Sequence, residues 1–438
     1  MAKLTFPGGI HTYDGKDLTK DKPTNVLLPK GDLVYPLVQH IGAPAKPVVA
    51  KGDKVLVGQI IAEAGGFVSS NIISSVSGTV KAIEKRLVVQ GTMVDSIVIE
   101  NDHEYKTVEG FGKERDYTRL SKEEIRSIIK DAGIVGMGGA GFPTHVKLTP
   151  KDDSKIDYVI VNGAECEPYL TSDYRMMLEQ PETIIGGLKI ILRLFENAKG
   201  IIAIEDNKPE AIKILKELAA GEENIEVMAL KTKYPQGGER QLVYATTGRK
   251  LNSRKLPADV GCIVNNIDTV IAIYMAVAKS TPLIRRIITV TGDAIRNPQN
   301  FNVAIGIDYS ELIEAAGGFT ETPEKIISGG PMMGNALYTC NVPVTKVSSA
   351  FTAFKKDWAA VVESPCIRCG KCVTACPLRL MPFELAALSN RSDSEGFVKK
   401  DGLECCGCGC CSYICPAKRG LTQSIMQMRA SVLASRKK

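Results

Sequence analysis

The sequence lacks any run of apolar residues that is long enough to cross a membrane. Its longest apolar stretch, residues 262–278, is interrupted by Asn265, Asn266 and Asp268, and a membrane-spanning helix needs about 20 apolar residues. The N-terminal residues MAKLTFPGGIH also lack the apolar core of a signal peptide. We therefore expect a cytoplasmic protein with no transmembrane span of its own, which reaches a membrane only through partners or its tail.

The sequence also lacks a basic face of the kind that binds nucleic acid, although the formal net charge of its 438 residues is +6. The excess is confined to the segment after Cys415, whose six basic residues have no acidic counterparts: Lys418, Arg419, Arg429, Arg436, Lys437 and Lys438. The remaining chain carries no net charge, which argues against nucleic acid as a partner.

Cysteine is common but unevenly distributed. Ten of the thirteen cysteines lie between Cys366 and Cys415. In a reducing compartment, such a cluster indicates metal binding rather than disulfide formation. Cys166, Cys262 and Cys340 are scattered, and we expect them to be small buried apolar side chains.

Two copies of one motif account for eight of these cysteines. Both copies read Cys-x2-Cys-x2-Cys-x3-Cys-Pro, at residues 366–377 and 405–416. This is the spacing of bacterial ferredoxins, in which the fourth cysteine of each motif ligates the other cluster. The motifs therefore predict two [4Fe–4S] clusters with crossed ligands. One ligand set is Cys366, Cys369, Cys372 and Cys415, and the other is Cys405, Cys408, Cys411 and Cys376.

A pair of structural zinc sites is the alternative, but zinc favours two cysteine pairs separated by a long loop. Gly370, Gly407 and Gly409 would let backbone N–H groups approach the sulfur atoms of a cluster. Cys406 and Cys410 fall outside the spacing and are either unligated neighbours or substitute ligands. The helix signal PFELAALSN between the motifs predicts a helical two-cluster domain rather than a compact β-rich ferredoxin.

The rest of the sequence predicts several domains with α/β and α+β folds, because single cores stop growing at about 250–300 residues. Residues 28–108 read as short strands and resemble the barrel-sandwich hybrid of lipoyl domains, although the hairpin GGFVSSN has no lysine for a swinging arm. Residues 109–280 alternate helices and strands, which predicts a Rossmann-like domain with a mostly parallel sheet. Residues 281–345 return to strands and turns, and residues 346–438 are helical around the cysteines.

The last predicted helix has an apolar stripe at Leu421, Ile425, Met428 and Val432. This stripe is typical of a packing face. The basic residues beside it favour a membrane-surface role as the alternative.

A glycine-rich loop, GMGGAGFPT at residues 136–144, follows a helical pattern and contains Pro143. A dinucleotide fingerprint should instead follow a strand and open a helix, so we reject the ordinary Rossmann interpretation of this loop. The loop could wrap a phosphate or an isoalloxazine ring closely, with Lys147 near enough to pair with a phosphate. A tight structural turn is the alternative.

The loop resembles the flavin loop of the NADH-oxidising, flavin-bearing subunit of respiratory complex I. Three later segments resemble the same family in order: NGAECEP at 162–168, YPQGGER at 234–240 and NNIDT at 265–269. Arg240 stands where that family has a second acidic residue. The resemblance implies that the cofactor is bound by Gly136, Gly138, Gly139, Ala140, Gly141, Phe142, Lys147, Asn162, Glu165, Glu167, Tyr234, Gly238, Glu239, Asn265, Asn266 and Thr269.

Some of these residues also have simpler interpretations. Glu165, Glu167 and Glu239 could be ordinary surface carboxylates. Asn265 and Asn266 could cap a helix that begins near Asp268.

Over essentially all 438 residues, the chain resembles the RnfC proteins of the Rnf ion-translocating ferredoxin:NAD oxidoreductases. The segments that carry this resemblance occur in that family's order: FPGGIH, SSVSGTV, the glycine-rich loop, VTGDAIRNPQNF to SGGPMMGNA, and CIRCGKC. The family implies an N-terminal segment (1–27), a barrel-sandwich hybrid (28–108), an FMN- and NADH-binding α/β domain (109–280), a soluble-ligand-binding β-grasp domain (281–345) and a helical two-cluster domain (346–438). It also implies non-covalent FMN, NAD(H) as substrate, and peripheral docking on the cytoplasmic face of the cell membrane. The implied partners are membrane subunits and a ferredoxin-like subunit of the Rnf complex.

These features predict an NADH-linked oxidoreductase subunit in which a flavin connects hydride transfer to two one-electron clusters. Because the cofactors carry the chemistry, we expect no catalytic acid–base residue, and none of the four histidines belongs to a recognisable triad. Two alternatives remain. A relay subunit without a hydride site would explain Arg240, and a soluble electron donor to a proline- or cobalamin-type reductase would carry the same cofactors.

Overall fold

The N-terminal segment is held between other parts of the protein. A computed structural model describes residues 4–436, so residues 1–3 of this segment and Lys437 and Lys438 of the basic tail lie outside the described residues. Ile10 forms a β-bridge to Tyr234, and the N–H of Gly9 donates to the carbonyl oxygen of Ala375 at 2.8 Å. Two elements follow: a 3-10 turn at Lys16–Leu18 and strand β1 at Thr24–Leu27.

Residues 28–108 form two small antiparallel sheets that pack around a shared core. The strands are β2 (Leu33–Pro36), β3 (Lys46–Pro47), β4 (Lys54–Val55), β5 (Ile60–Glu63), β6 (Ile72–Ile73), β7 (Gly78–Leu87) and β8 (Met93–Asn101). Their orders are β2-β8-β7-β4 and β3-β5-β6. Alternate residues of a strand point to opposite faces, and this places Leu33, Ile61 and Ile97 in the core between the two sheets.

Residues 109–280 alternate helices and strands, as the sequence predicts. The elements are α1 (Lys122–Asp131), α2 (Thr144–Lys147), β9 (Tyr158–Gly163), α3 (Ser172–Glu179), α4 (Pro181–Leu192), β10 (Lys199–Glu205), α5 (Pro209–Ala219), β11 (Ile225–Leu230), α6 (Glu239–Thr247), β12 (Cys262–Asn266) and α7 (Ile267–Lys279). The sheet order is β11-β10-β9-β12, and all three pairings are parallel. The carboxyl ends of parallel strands share one edge, which is where open α/β sheets bind ligands. Three of the flavin-like segments lie at or just after β9, β11 and β12.

A six-stranded sheet follows, and it extends beyond residues 281–345. Its new elements are β13 (Arg285–Thr291), β14 (Gln299–Ala304), α8 (Tyr309–Ala315), β15 (Lys325–Ser328), β16 (Asn335–Leu337) and β17 (Ala350–Phe354). The order β1-β14-β13-β17-β15-β16 includes a strand from the N-terminal segment and one beyond residue 345. Every residue of β17 is buried, so its backbone needs hydrogen-bond partners within the sheet.

The cysteine-rich region is helical. Its helices are α9 (Lys371–Ala375), α10 (Pro382–Asn390), α11 (Ser394–Lys399), α12 (Cys410–Tyr413) and α13 (Leu421–Ser435). Leu421, Ile425, Met428 and Val432 of α13 are buried in the core of this region, so the predicted stripe is a packing face. Among residues 4–436, the structure contains no helix that is long and apolar enough to cross a membrane.

One buried lysine joins three of these regions. The Nζ atom of Lys346 donates to Ser70 Oγ (3.1 Å), to the carbonyl oxygen of Gly133 (2.7 Å) and to that of Asn71. The side chain is 1% exposed. These bonds connect the barrel-sandwich hybrid, the turn after α1 and the segment before β17.

Replacing Lys346 with methionine should therefore destabilise the protein. The change leaves two buried carbonyl groups without their donor, and we expect the free energy of unfolding to fall by about 3 kcal/mol. Denaturant unfolding of the variant would measure this loss. Lys51→Met, at an exposed position, is the matched control, and equal losses in both variants would contradict the role of Lys346.

Candidate functional site

A cleft of about 1270 Å³ opens along the parallel sheet. Its walls are the loop after α1, the end of β9, the start of α6 and the end of β12, which are the four segments that the sequence singles out. The predicted cofactor residues that line it are Gly136, Gly138, Gly139, Ala140, Gly141, Phe142, Lys147, Asn162, Gly238, Glu239 and Asn266.

The glycine-rich loop is shaped by close contacts on one side and open space on the other. A Cβ atom on Gly138, whose φ is +78°, would lie 2.9 Å from the side chain of Asn266. A Cβ atom on Gly141 would lie 2.7 Å from Val347. At Gly139, in contrast, no described atom lies within 4 Å of such a Cβ. The loop therefore presents bare backbone to the cleft, as a flat or anionic ligand requires.

Lys147 is a half-buried cation in the cleft wall. Its Nζ atom donates to the carbonyl oxygen of Val264 at 2.7 Å. Burial lowers the pKa of Lys147, while the negative charge of Glu239 opposes that shift. A phosphate group beside this ammonium would offset the cost of its burial.

Asn162 holds the part of the cleft wall that is formed by the end of β9 and by Gly237. Its Nδ2 atom donates to the carbonyl oxygen of Gly237 at 2.9 Å, and its Oδ1 atom accepts from the N–H of Ala164 at 3.2 Å. The N–H of Gly237 in turn donates to Cys166 Sγ at 3.2 Å. Burial raises the pKa of Cys166 to about 12, so this thiol is neutral at physiological pH.

Two predicted carboxylates lie outside the cleft. Oε1 of Glu167 accepts from the N–H groups of Met332 (2.7 Å) and Met333 (3.2 Å), so it holds the loop before β16 against the α/β domain. Burial raises the pKa of Glu167 to about 7. Oε1 of Glu165 accepts from the N–H of Asp173 at 2.7 Å, next to α3. Neither residue is an ordinary surface carboxylate, since Glu165 is buried and Glu167 makes these inter-domain bonds.

Three further predicted residues support the cleft or lie away from it. Oγ1 of Thr269 accepts from the N–H of Met137 at 2.9 Å and so anchors the glycine-rich loop to α7. Tyr234 and Asn265 are buried outside the cleft. The capping interpretation is confirmed for Asn266, whose Oδ1 atom accepts from the N–H of Asp268 at 2.9 Å.

The far end of the cleft was missed by sequence reasoning. It is lined by charged residues of two loops and by the turn before β12: Lys151, Asp152, Lys155, Asp157, Arg249, Lys250 and residues 256–261. Arg249 is paired with Asp157 at 2.6 Å. The short charged clusters KDDSK and GRK are the available signal, but such clusters are common in surface loops.

The eight motif cysteines surround two small cavities in the helical region. Residues Cys366, Cys369, Cys372 and Cys415 line the first cysteine cavity. Residues Cys376, Cys405, Cys408 and Cys411 line the second cysteine cavity, together with Cys406 and Cys410. Each cavity thus combines three cysteines of one motif with the fourth cysteine of the other.

A zinc ion needs its four ligands close around one point. Within residues 4–436, the structure contains no group of three or more His, Cys, Asp or Glu side chains arranged to hold a single metal ion. The donor set of each cavity, four cysteines spread around a small space, suits a larger thiolate-bound cluster.

An apolar cluster lies between the second cysteine cavity and the cleft wall. Tyr234 and Cys410 share a small apolar cluster with Cys166 and Cys408. Cys166 contacts the cleft wall at Gly237, and Cys408 lines the second cysteine cavity. This apolar cluster therefore connects the cleft wall to the second cysteine cavity.

Arg240 connects α6, which begins at the cleft, to the segment that precedes the second cysteine motif. Its guanidinium lies 3.0 Å from Oε2 of Glu404, the residue before Cys405, and Oγ of Ser253 donates to the same carboxylate at 2.6 Å. Arg240 lies outside the cleft lining, one residue after Glu239. Its departure from the complex I pattern thus has a structural explanation in this contact.

Comparison with known proteins identifies the family. The chain is 46% identical over 388 residues to the C subunit of the proton-translocating ferredoxin:NAD(+) oxidoreductase complex of Clostridium ljungdahlii, covering 88% of this chain and 85% of that protein. It is 42% identical over 438 residues to the C subunit of the Na(+)-translocating ferredoxin:NAD(+) oxidoreductase complex of Acetobacterium woodii, covering 99% and 98%. The chain belongs to the RnfC family.

Family models match three parts of this RnfC-family chain. The RnfC barrel sandwich hybrid domain matches residues 4–104, the Nuo51 FMN-binding domain residues 129–275, and the SLBB domain residues 287–336. The glycine-rich loop and all the flavin-like segments lie within the FMN-binding match. This confirms the predicted flavin domain and its relation to complex I.

The fold of this RnfC-family chain also resembles a solved structure. An NAD+-reducing [NiFe]-hydrogenase in the air-oxidized state superposes with a TM-score of 0.51 at 20% sequence identity, covering 64% of this chain and 55% of that one. At this identity, the likeness concerns the fold.

Proposed function

We propose that the chain is the electron-input subunit of an ion-translocating ferredoxin:NAD oxidoreductase complex, which passes electrons between NAD(H), FMN and two [4Fe–4S] clusters. The names of its relatives and the FMN-binding domain match support this function. The observation that carries it is the apolar cluster that connects the second cysteine cavity to the cleft wall.

The cleft residues fit FMN. Gly139 offers open space against bare backbone, and Lys147 offers a half-buried cation for the phosphate. Asn162 and Glu239 lie on the opposite wall, where polar groups can orient the ring system. Bound FMN supplies the conversion between hydride transfer and one-electron transfer, and bound clusters supply one-electron carriage.

The charged end of the cleft suits a dinucleotide substrate. Lys151 and Lys250 line this end, and neither belongs to an ion pair among residues 4–436. Their charges would attract the diphosphate of NAD(H), while Arg249 is occupied by Asp157.

The cysteine cavities fit the crossed ligation of two [4Fe–4S] clusters in a helical ferredoxin domain. The second cysteine cavity would hold the cluster that exchanges electrons with the flavin, because Cys408 and Cys166 share one apolar cluster. The first cysteine cavity, two of whose cysteines are exposed, would hold the cluster that faces partners. Cys406 and Cys410 also line the second cysteine cavity and would be neighbours of its cluster.

The protein would work peripherally, on the cytoplasmic face of the membrane, with the membrane subunits and a ferredoxin-like subunit of an Rnf complex. The relay alternative loses its motivation, because Arg240 contacts Glu404 rather than the cleft. The soluble-donor alternative remains distinguishable by co-purification with membrane subunits.

Anaerobic addition of NADH to the cofactor-loaded protein tests this function. We expect bleaching of the flavin absorbance followed by reduction of the clusters. Loaded protein whose flavin stays oxidised in excess NADH would refute the hydride site. Lys250→Ala should raise the NADH concentration for half-maximal bleaching about tenfold, since a charge-assisted hydrogen bond contributes about 1.5 kcal/mol or more.

Arg240→Gln should slow electron transfer from the flavin to the clusters without slowing flavin reduction by NADH. The change removes the ion pair that fixes the loop before Cys405, and small misplacements cost between about tenfold and a hundredfold in rate. Rapid mixing with NADH would resolve the flavin and cluster phases separately. The exchanged pair, Arg240→Glu with Glu404→Arg, should restore much of the rate, and equal slowing of both phases would contradict this positioning role.

A further inference from the structure

We propose that the exposed segment 358–369 and the basic residues around the first cysteine cavity form a docking face for an acidic one-electron carrier protein. The proposal rests on the proposed function, because it assumes that the first cysteine cavity holds a redox cluster. It adds the surface through which that cluster meets its partner, and the surface chemistry of the partner.

The segment is unusual in its exposure. All twelve residues from Trp358 to Cys369 are exposed, and they lie between β17 and α9 without a helix or strand of their own. Trp358 is 73% exposed, Val362 93% and Ile367 67%. Large apolar side chains that cluster at the surface mark interaction sites, and tryptophan is enriched among the residues that dominate binding energy.

The segment is nevertheless held in place beside the second motif. The N–H of Ser364 donates to the carbonyl oxygen of Ala417 at 3.0 Å. The carboxylate of Glu363 accepts from the N–H of Gly420 at 2.7 Å. The apolar side chains are therefore presented on an anchored segment, which lowers the entropy cost of binding.

The same face opens onto the first cysteine cavity. Cys366 and Cys369 are exposed, whereas the motif cysteines of the second cysteine cavity are buried or half-buried. Ile367 and Arg368 line the first cysteine cavity directly. A partner seated here would approach a cluster held by Cys366 and Cys369 closely.

The positive charge of this face indicates that its partner is acidic. Arg368, Lys371, Lys418 and Arg419 flank the first cysteine cavity, and none of them forms an ion pair with any residue in the range 4–436. The nearby Glu363 is engaged by the backbone of Gly420. A face that carries such cations together with exposed apolar side chains complements an acidic protein and speeds its association.

A membrane surface would also accept basic and aromatic residues, but it carries no redox centre to match the exposed cysteines. Binding of anionic vesicles is therefore one outcome of the test. The probes are a purified acidic two-cluster bacterial ferredoxin, the basic protein cytochrome c, and vesicles of anionic phospholipid.

The test uses the full cofactor-loaded chain, with binding measured by calorimetry and electron exchange measured after chemical reduction by dithionite. We expect saturable ferredoxin binding that weakens with salt, and about tenfold weaker binding for Val362→Asp and for Lys418→Glu. Phe67→Asp and Lys51→Glu, at exposed positions remote in the chain from this face, should bind as the parent protein does.

The proposal is overturned if both docking-face variants bind ferredoxin as tightly as the parent. It is also overturned if cytochrome c binds equally well, or if the variants lose affinity for the vesicles alone. Because dithionite replaces NADH in these measurements, the docking result can be interpreted even if the protein does not oxidise NADH. The iron and flavin contents of each variant show whether weaker ferredoxin binding results from the altered surface or from loss of a cofactor.

Discussion

Replacing Cys415 with serine is expected to abolish the cluster of the first cysteine cavity, although Cys415 belongs to the second motif. The side chain lines that cavity with Cys366, Cys369 and Cys372. Iron content should fall from about eight to about four atoms per chain, since each [4Fe–4S] cluster holds four. Cys376→Ser should have the same effect on iron but remove the other cluster.

Spectra of the reduced variants distinguish crossed ligation from ligation within each motif. The cluster that remains in Cys415→Ser should give the same EPR spectrum as the one that remains in Cys369→Ser. The cluster left in Cys376→Ser should match that of Cys408→Ser. If Cys415→Ser instead matches Cys408→Ser, each motif binds its own cluster. Cys340→Ser, which lies outside both cavities, should retain about eight iron atoms.

Gly139→Val is expected to empty the cleft of flavin while leaving the fold intact. Gly139 lines the cleft, its backbone lies outside the left-handed region, and a Cβ atom there would have no described atom within 4 Å. Flavin content after purification should fall at least about tenfold, because the added methyl groups occupy the volume of the ligand. Flavin release on denaturation measures this content directly.

Gly221→Val is the matched control. A Cβ atom there also meets no described atom within 4 Å, and the residue lies in the turn after α5, outside the cleft lining. This variant should keep its flavin. Comparable flavin loss in both variants, or full flavin retention in Gly139→Val, would contradict the placement of FMN in the cleft.

Local patterns carried much of the sequence prediction. The helical pattern that precedes the glycine-rich loop is confirmed as α1. The cysteine spacing also reflects short loops that line the two cysteine cavities. In each of these cases, the residues that decide the local structure lie within about one or two helical turns of one another.

Distant contacts were the part that the sequence could not supply. The six-stranded sheet takes β1 and β17 from outside the predicted range because strand pairing depends on partners far along the chain. Glu167 resembles a cofactor residue but holds the loop at Met332. Arg240 departs from the complex I pattern in the sequence, and only the structure shows that its ion-pair partner is Glu404.

The position of the N-terminal segment has a consequence for biosynthesis. Gly9 pairs with Ala375, and β1 pairs with β14, so residues made first await partners made hundreds of residues later. Domains generally fold as units while the chain emerges from the ribosome. In this protein, the N-terminal segment can therefore complete its contacts only after residue 375 has been synthesised.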